Sequence, residues 1–348
     1  MHDADLSNSL ADTVRAAAAA RTALAIRGGQ TKQFHTGTCH GTPLDVRPHR
    51  GIVSYEPTEL VITARAGTPL AEIDAALAAY QQMLGFEPPH FGKAATLGGT
   101  IACGFSGPRR PYAGSARDFV LGTRIINGRG EILKFGGQVM KNVAGYDLSR
   151  LMAGSFGTLA VLLEVSLKVL PRPATEMTLG FQTGAADAIG RMNTWAGLPL
   201  PLSAAAHSGD TLYIRLSGAE SAVRAAHTRL GGEPVANGDA FWHDLREHQQ
   251  PFFHGSVPLW RLSLPPAAPM PALAGAWLID WGGAQRWLKS DTPAAEIHRQ
   301  ASAAGGYATL FRGPRETPGR ETPLAEPLRR LQVNLKQSLD PAGIFNVA

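Results

Sequence analysis

The chain has 348 residues, 44% of them hydrophobic and 18% charged, with a formal net charge of +5. That length accommodates two domains with their own cores, and the scatter of Lys and Arg excludes the basic, aromatic-laced stripe of a nucleic-acid binder. The only cysteines, Cys39 and Cys103, have no C-x-x-C neighbour, which excludes an iron–sulfur or structural zinc centre and fits a reducing compartment.

The acidic opening Met1–Asp5 lacks a signal-peptide pattern, so a cytoplasmic location is expected. Ser9 to Arg21 reads as an amphipathic helix, with Leu10 and Val14 on one face. A strand over Ala23–Ile26 delivers the turn Arg27-Gly28-Gly29-Gln30-Thr31-Lys32. Leu60–Ala64 reads as a second strand. Thr68 is placed to cap a helix with Pro69 at its first position, and Leu70, Ile73, Leu77 and Tyr80 at helical spacing are expected in the core. Val120–Ile126 and Ile132–Phe135 read as a hairpin across Asn127-Gly128-Arg129-Gly130. The apolar stretch Leu151–Leu170 carries Glu164 and Lys168 and is interrupted by Gly154 and Gly157. It reads as a glycine turn feeding a buried strand, not as a membrane span.

Pro171-Arg172-Pro173 marks a boundary. The next segment is rich in Ala, Pro and Trp; Pro265–Pro271 and Gly313–Pro323 read as loops. Leu324–Leu339 reads as a closing helix with Leu328, Leu331 and Leu335 on one side. The three divisions expected are 1–172, 173–323 and 324–348. His243, His248 and His254 match no metal-ligand spacing and are assigned to surface or loops, and no metal site is expected.

The chemistry concentrates in three glycine-rich bends: Arg27–Lys32, Thr96–Gly107 and Gly154–Leu159. Glycine admits positive φ and lets backbone N–H groups approach phosphate oxygens; successive N–H groups form an anion-binding concavity. No G-x-G-x-x-G and no G-x-x-x-x-G-K-[ST] occurs, so neither a Rossmann dinucleotide loop nor a P-loop is present. A long phosphate-bearing ligand held largely by backbone is the reading.

Seven segments in order carry a family resemblance: Ile26–Lys32, Thr96–Thr100, Gly107-Pro108-Arg109-Arg110, Arg117–Gly122, Lys141–Leu148, Gly154–Leu159 and Leu339–Asn346. Together they resemble the FAD-binding domain of the vanillyl-alcohol oxidase / p-cresol methylhydroxylase superfamily, and within it the family of FAD-binding subunits of bacterial glycolate oxidase. The resemblance implies an α+β fold: a PCMH-type FAD-binding domain of two α/β subdomains, a smaller α+β cap domain, and a C-terminal segment returning to the flavin domain. It implies FAD as cofactor, with Arg27, Gly28, Gly29, Gln30, Thr31 and Lys32 along the diphosphate. Thr96, Gly98, Gly99, Thr100, Gly104, Ser106 and Gly107 would run beside the diphosphate and flavin, and Gly114 would approach the flavin itself. Gly154, Ser155, Gly157 and Thr158 would meet the adenosine side, with Val161 lending backbone to the adenine. Asn346 would reach toward the ring, or else belongs to a frayed tail.

Some members of the superfamily attach flavin covalently to a histidine in or near the first bend. Gln30 and Thr31 offer only hydrogen bonds, so the flavin is expected to be non-covalent. Asp118 either bonds a hydroxyl or caps a turn, and Lys141, Asn142, Tyr146 and Asp147 form a polar cluster. The region Gly305–Gly313 lacks the acidic-histidine stretch of related full-length enzymes, leaving Arg312 as a candidate carboxylate anchor or a surface residue and the catalytic base unassigned. The function implied is the FAD-binding subunit of a glycolate oxidase complex, oxidising glycolate to glyoxylate. Its partners would be a larger flavoprotein and an iron–sulfur subunit, cytoplasmic or peripheral at the inner membrane through them. The alternatives are a stand-alone FAD-dependent 2-hydroxy-acid dehydrogenase of the D-lactate type and a structural subunit with a vestigial flavin site. No nucleic-acid partner and no transmembrane segment are expected.

Overall fold

The computed structural model describes residues 5–36, 40–137, 147–314 and 322–346. The chain divides into two compact units. One comprises Met1–Ser106, Gly114–Arg172 and Leu324–Ala348; the other comprises Gly107–Ala113 and Pro173–Pro323.

In the first unit, the helix Ser7–Ala20 buries Leu10, Ala11, Val14 and Ala17, one face of a 3.6-residue period. It stops at Arg21, whose left-handed φ of 52° turns the amide back onto Ala17 and Ala18 carbonyls. The strand Leu24–Arg27 pairs in parallel with Thr42–Asp45. Its other edge takes residues 344–346: Leu24 N donates to Ile344 O at 2.7 Å, and Asn346 N donates to Leu24 O at 3.0 Å. The apolar side chains of these pieces, with Val161 and Leu163, form one core.

Beside it lies a five-stranded sheet in the order Ile52–Glu56, Val61–Arg65, Val161–Lys168, Val120–Ile126 and Ile132–Gly136, all antiparallel. The central strand Val161–Lys168 is buried at nearly every position, as expected for a strand covered on both faces. The hairpin forms across Asn127–Gly130 as read from sequence. The helix Leu70–Ala78 forms and buries Leu70, Ile73 and Leu77. Two expectations fail there. Tyr80 is 59% exposed, because the helix ends two residues before it. Thr68 does not cap the helix; its Oγ1 accepts from Gly51 N and donates to Gly51 O, and Pro69 takes the cap position. Asp118 resolves as a cap: it closes a capping box with Ser115.

The second unit is built on one antiparallel eight-stranded sheet. Its strand order is Glu233–Pro234, Thr175–Gln182, Thr211–Gly218, Leu202–Ser208, Ala276–Asp280, Gln285–Lys289, Leu259–Ser263 and Tyr307–Arg312. Helices Ala185–Ala196 and Glu220–Leu230 supply Ile189, Met192 and Val223 to its core. Pro265–Pro271 forms a loop between two of these strands. The short segment Gly107–Ala113 belongs to this unit: Arg109 Nη2 pairs with Glu176 Oε1 at 2.6 Å, and Trp281 Nε1 donates to Gly107 O at 3.0 Å. Arg110 lies over the Trp281 ring at 4.3 Å.

His248 lies in the turn after the helix Gly238–Arg246, as a loop position, but it is buried there, with its ring stacked on Phe253 at 3.8 Å and edge-on to Trp287. Burial, aided by the charges of Arg312 and Arg261, pushes its pKa well below the usual imidazole range. Among the described residues, no group of three or more His, Cys, Asp or Glu converges as a metal site, and no helix is long and apolar enough to cross a membrane.

Candidate cofactor cleft

The first unit carries a cleft with a cavity volume of about 140 Å³. The first bend forms one wall, the segments around Thr96–Cys103 and Ser155–Gly157 form others, and Asn346 completes it.

The first bend displays its backbone. Among the described residues, the N–H groups of Gly28, Gly29, Gln30 and Thr31 have no acceptor in the chain. Gln30 sits at φ 56°, a left-handed conformation that costs a non-glycine residue about 1–2 kcal/mol and that turns consecutive amides toward one side. Two glycines allow the bend to nestle in. A Cβ on Gly29 would lie 1.6 Å from Ala94 O, and one on Gly28 would lie 2.7 Å from Thr96 Oγ1.

The second bend behaves otherwise. Gly98 N donates to Ala66 O, Leu97 N to Thr68 O, and Gly99 N to the Thr96 side chain at 3.3 Å. Thr96 thereby caps the helix Leu97–Cys103, which ends on Gly104 at φ 66°. Glycine here serves close packing: a Cβ on Gly98 would lie 2.7 Å from Ala66 Cβ, and one on Gly104 2.9 Å from Gly154 N. Gly99 also lines the cleft, and an added Cβ there would meet only Thr96 Oγ1 at 3.2 Å.

The third bend holds Phe156 at φ 52° and Gly157 at φ 72°. Its amides at Gly154, Ser155, Phe156 and Thr158 have backbone acceptors, whereas Gly157 N–H has none among the described residues. Asn346 ties this bend to the first: its Oδ1 accepts from Ile26 N at 2.8 Å, and its Nδ2 donates to Phe156 O at 2.7 Å.

Among the described residues, the charges on the wall are Arg27 and Lys32, and no Asp or Glu lines it. Lys32 is buried, its Nζ near Thr31 Oγ1 and His90 O at 3.4 and 3.3 Å. Cys103 also lines the cleft; burial pushes its thiol pKa up to about 11, so it is protonated at neutral pH. Unpaired amides, two cations and no carboxylate fit a dianionic diphosphate. Among the described residues, no histidine lines the wall.

Residues 5–136 match the family described as the FAD binding domain. Glycolate oxidase subunit GlcE of Escherichia coli (strain K12) is 53% identical over 346 residues, 99% of this chain and 97% of that protein. The chain belongs to the GlcE family. Glycolate oxidase subunit GlcD of Bacillus subtilis (strain 168) is 35% identical over 147 residues, 41% of this chain but only 31% of that protein. D-lactate dehydrogenase of Anaerostipes hadrus is 34% identical over 139 residues, 40% of this chain and 29% of that protein. A solved alkyldihydroxyacetonephosphate synthase superposes with a TM-score of 0.67 at 15% identity, covering 97% of this chain and 74% of that one, a likeness of fold alone.

In this GlcE-family chain, the cleft brings together most of the residues singled out from sequence: Arg27 through Lys32, Thr96, Gly98, Gly99, Ser155, Gly157 and Asn346. Others stand outside its wall. Thr100 is buried behind it with no partner for its Oγ1. Ser106 Oγ accepts from Ala116 N, Gly104 and Gly154 pack on one another, and Gly114 sits at φ 109° against Asp118. Thr158 O accepts from Lys336, and Val161 is core. Gly107 belongs to the second unit. Asp147 caps a short helix through Arg150 N; Lys141, Asn142 and Tyr146 lie outside the described residues. Arg312 is half-buried on the strand Tyr307–Arg312, and burial lowers its pKa. The wall residues not foreseen as site residues are mainly apolar, among them Ile26 and Phe156 within the segments that carry the resemblance, and Val46, Ala66, Ala160 and Leu162 outside them.

Proposed function

We propose that this chain is the FAD-binding subunit of a glycolate oxidase complex, which oxidises glycolate to glyoxylate. The observation that carries the reading is the cleft itself: four unpaired amides of one bend, a fifth at Gly157, and the cations Arg27 and Lys32 on a wall without carboxylates. These groups hold the diphosphate of a non-covalent FAD. The apolar wall of Ile26, Val46, Ala160 and Leu162 takes a less polar part of the same ligand. Bound FAD supplies two-electron acceptance from a hydroxy acid and onward release of electrons. The chain's own residues bind and orient it, and exclude water from the diphosphate.

The partners are a larger flavoprotein and an iron–sulfur subunit, in a cytoplasmic assembly that meets the inner membrane through them. Arg312 is the candidate for a substrate carboxylate, which a guanidinium grips through two parallel hydrogen bonds. The deciding experiment is expression with and without these partners, followed by glycolate-dependent flavin bleaching. The chain alone should be yellow, should release its flavin on acid treatment, and should bleach only in the assembly. Bleaching by D-lactate or glycolate without partners would favour a stand-alone dehydrogenase; a well-folded chain that refuses FAD would leave the flavin site vestigial.

A further inference from the structure

We propose that the C-terminal residues Lys336–Asn346 form a cofactor latch: Asn346 sets the spacing of the first and third bends, and cofactor occupancy and tail docking favour each other. The inference rests on the reading that FAD occupies the cleft.

Asn346 contributes its backbone N–H and both side-chain amide groups to the cleft frame. Its backbone N–H joins Leu24 O, its Oδ1 joins Ile26 N just before the first bend, and its Nδ2 joins Phe156 O in the third. It does so at φ 39°, beside Phe156 at φ 52° and Gly157 at φ 72°. Left-handed backbone at two non-glycine residues persists only where its surroundings over-determine it. The fit is close: a Cβ on Gly157 would lie 2.5 Å from Asn346 Nδ2.

A second device holds the tail. The buried carboxylate of Asp340 accepts from Ile344 N and Phe345 N, curling the chain back after the helix Glu326–Leu339. Lys336 Nζ pairs with that carboxylate at 2.5 Å and donates to Thr158 O and Phe345 O at 2.6 and 3.1 Å. One ammonium thus connects the tail to the far side of the third bend. Releasing the tail frees the Phe156 carbonyl and the Ile26 amide together and takes Asn346 out of the cleft's wall. A ligand that needs the two bends at that spacing must therefore favour the docked tail, by the same factor that the docked tail favours the ligand.

The test uses the full chain, stripped of flavin and reloaded with FAD. FAD should slow hydrogen exchange at the Leu24, Phe345 and Asn346 amides. Asn346→Ala should weaken FAD binding by about tenfold in a flavin-fluorescence titration, within the usual range of coupling between sites. It should also shrink the rise in melting temperature that FAD produces. A merely structural role would lower the melting of stripped and loaded forms equally, leaving that rise intact, and this result would overturn the latch. Should Asn346→Ala not fold, Lys336→Met takes its place, with Lys336→Arg expected to restore affinity; undiminished affinity in Lys336→Met also overturns it. A wild-type chain that takes up no FAD would bring down the cofactor reading as well, whereas wild-type uptake with unaltered variants sinks the latch alone.

Discussion

The first and second bends look alike on paper and differ in the molecule. Arg27–Lys32 leaves the amides of Gly28 to Thr31 without acceptors, whereas Leu97, Gly98 and Gly99 have committed theirs to Thr68, Ala66 and Thr96. In the first bend glycine presents the backbone to a ligand. In the second, glycine lets the helix Leu97–Cys103 approach Ala66 closely enough for Gly98 to touch it. A glycine-rich turn is therefore half of a statement about anion binding; the other half is where its N–H groups already go.

The largest effects should come from glycines whose missing side chain meets backbone. Gly29→Ala places a methyl 1.6 Å from Ala94 O, and a carbonyl cannot swing aside as a side-chain tip does. The loss should reach about 3 kcal/mol, the upper end for overpacking, read as a lower urea midpoint. Gly99→Leu makes the opposite demand. Its Cβ meets only Thr96 Oγ1, so the variant should fold normally while its side chain fills the cleft. FAD affinity should fall by about a hundredfold, near 2.7 kcal/mol. A yellow Gly99→Leu protein would break the assignment of the second bend as a smooth wall.

Much of this frame was readable from residues because its signals are local. The Asn127–Gly130 turn, the helix over Leu70–Leu77 and the three bends each declare themselves within about ten residues. What stayed hidden depends on contacts far along the chain. Gly107–Ala113 follows the second bend in sequence, yet Arg109 and Gly107 are gripped by Glu176 and Trp281. His248 has ordinary polar neighbours in sequence but is enclosed by Phe253, Trp287 and Phe311 through sheet pairing and a turn. Leu328 and Leu331 keep their helical spacing, yet both are exposed; periodicity reports a face, not what covers it. The roles of Lys336 and Asp340 needed the tail's return to the strand Leu24–Arg27 before they had any meaning.

Charge offers a finer cut between the bends. Arg27 and Lys32 belong to the first, and nothing charged lines the cleft from the second. Arg27→Met and Lys32→Met should each weaken FAD binding by about tenfold, the lower end for a charge-assisted hydrogen bond. The wild type should lose affinity as salt rises, and the double variant should show a flatter dependence. An unchanged salt dependence would mean that amides alone hold the diphosphate.

The gentlest separation uses pH, because stability and binding answer to different groups. His49 is fully enclosed; its Nδ1 accepts from Leu6 N at 3.0 Å and its Nε2 donates to Leu163 O at 3.1 Å. Those bonds require the neutral ring, since a proton on Nδ1 would oppose the Leu6 N–H. Burial lowers its pKa, Asp5 opposes and Arg65 assists; in His248 burial lowers it further. The unfolded chain titrates both near pH 6.5. Above that pH neither form binds the proton and full stability is present. As the pH falls below it, the unfolded chain takes up protons that the folded chain refuses. Each histidine then costs about 1.4 kcal/mol per pH unit until its folded pKa is reached. Among the described residues, no histidine or carboxylate lines the cleft, so FAD affinity per folded molecule should stay flat from about pH 8 to 5.5 while the urea midpoint drops. Flavin titrations and urea melts at both ends of that range check the pair. Affinity that declined in step with stability would show that the first bend's amides depend on the buried histidines, and the contrast between a bend that binds and a bend that packs would have to be redrawn.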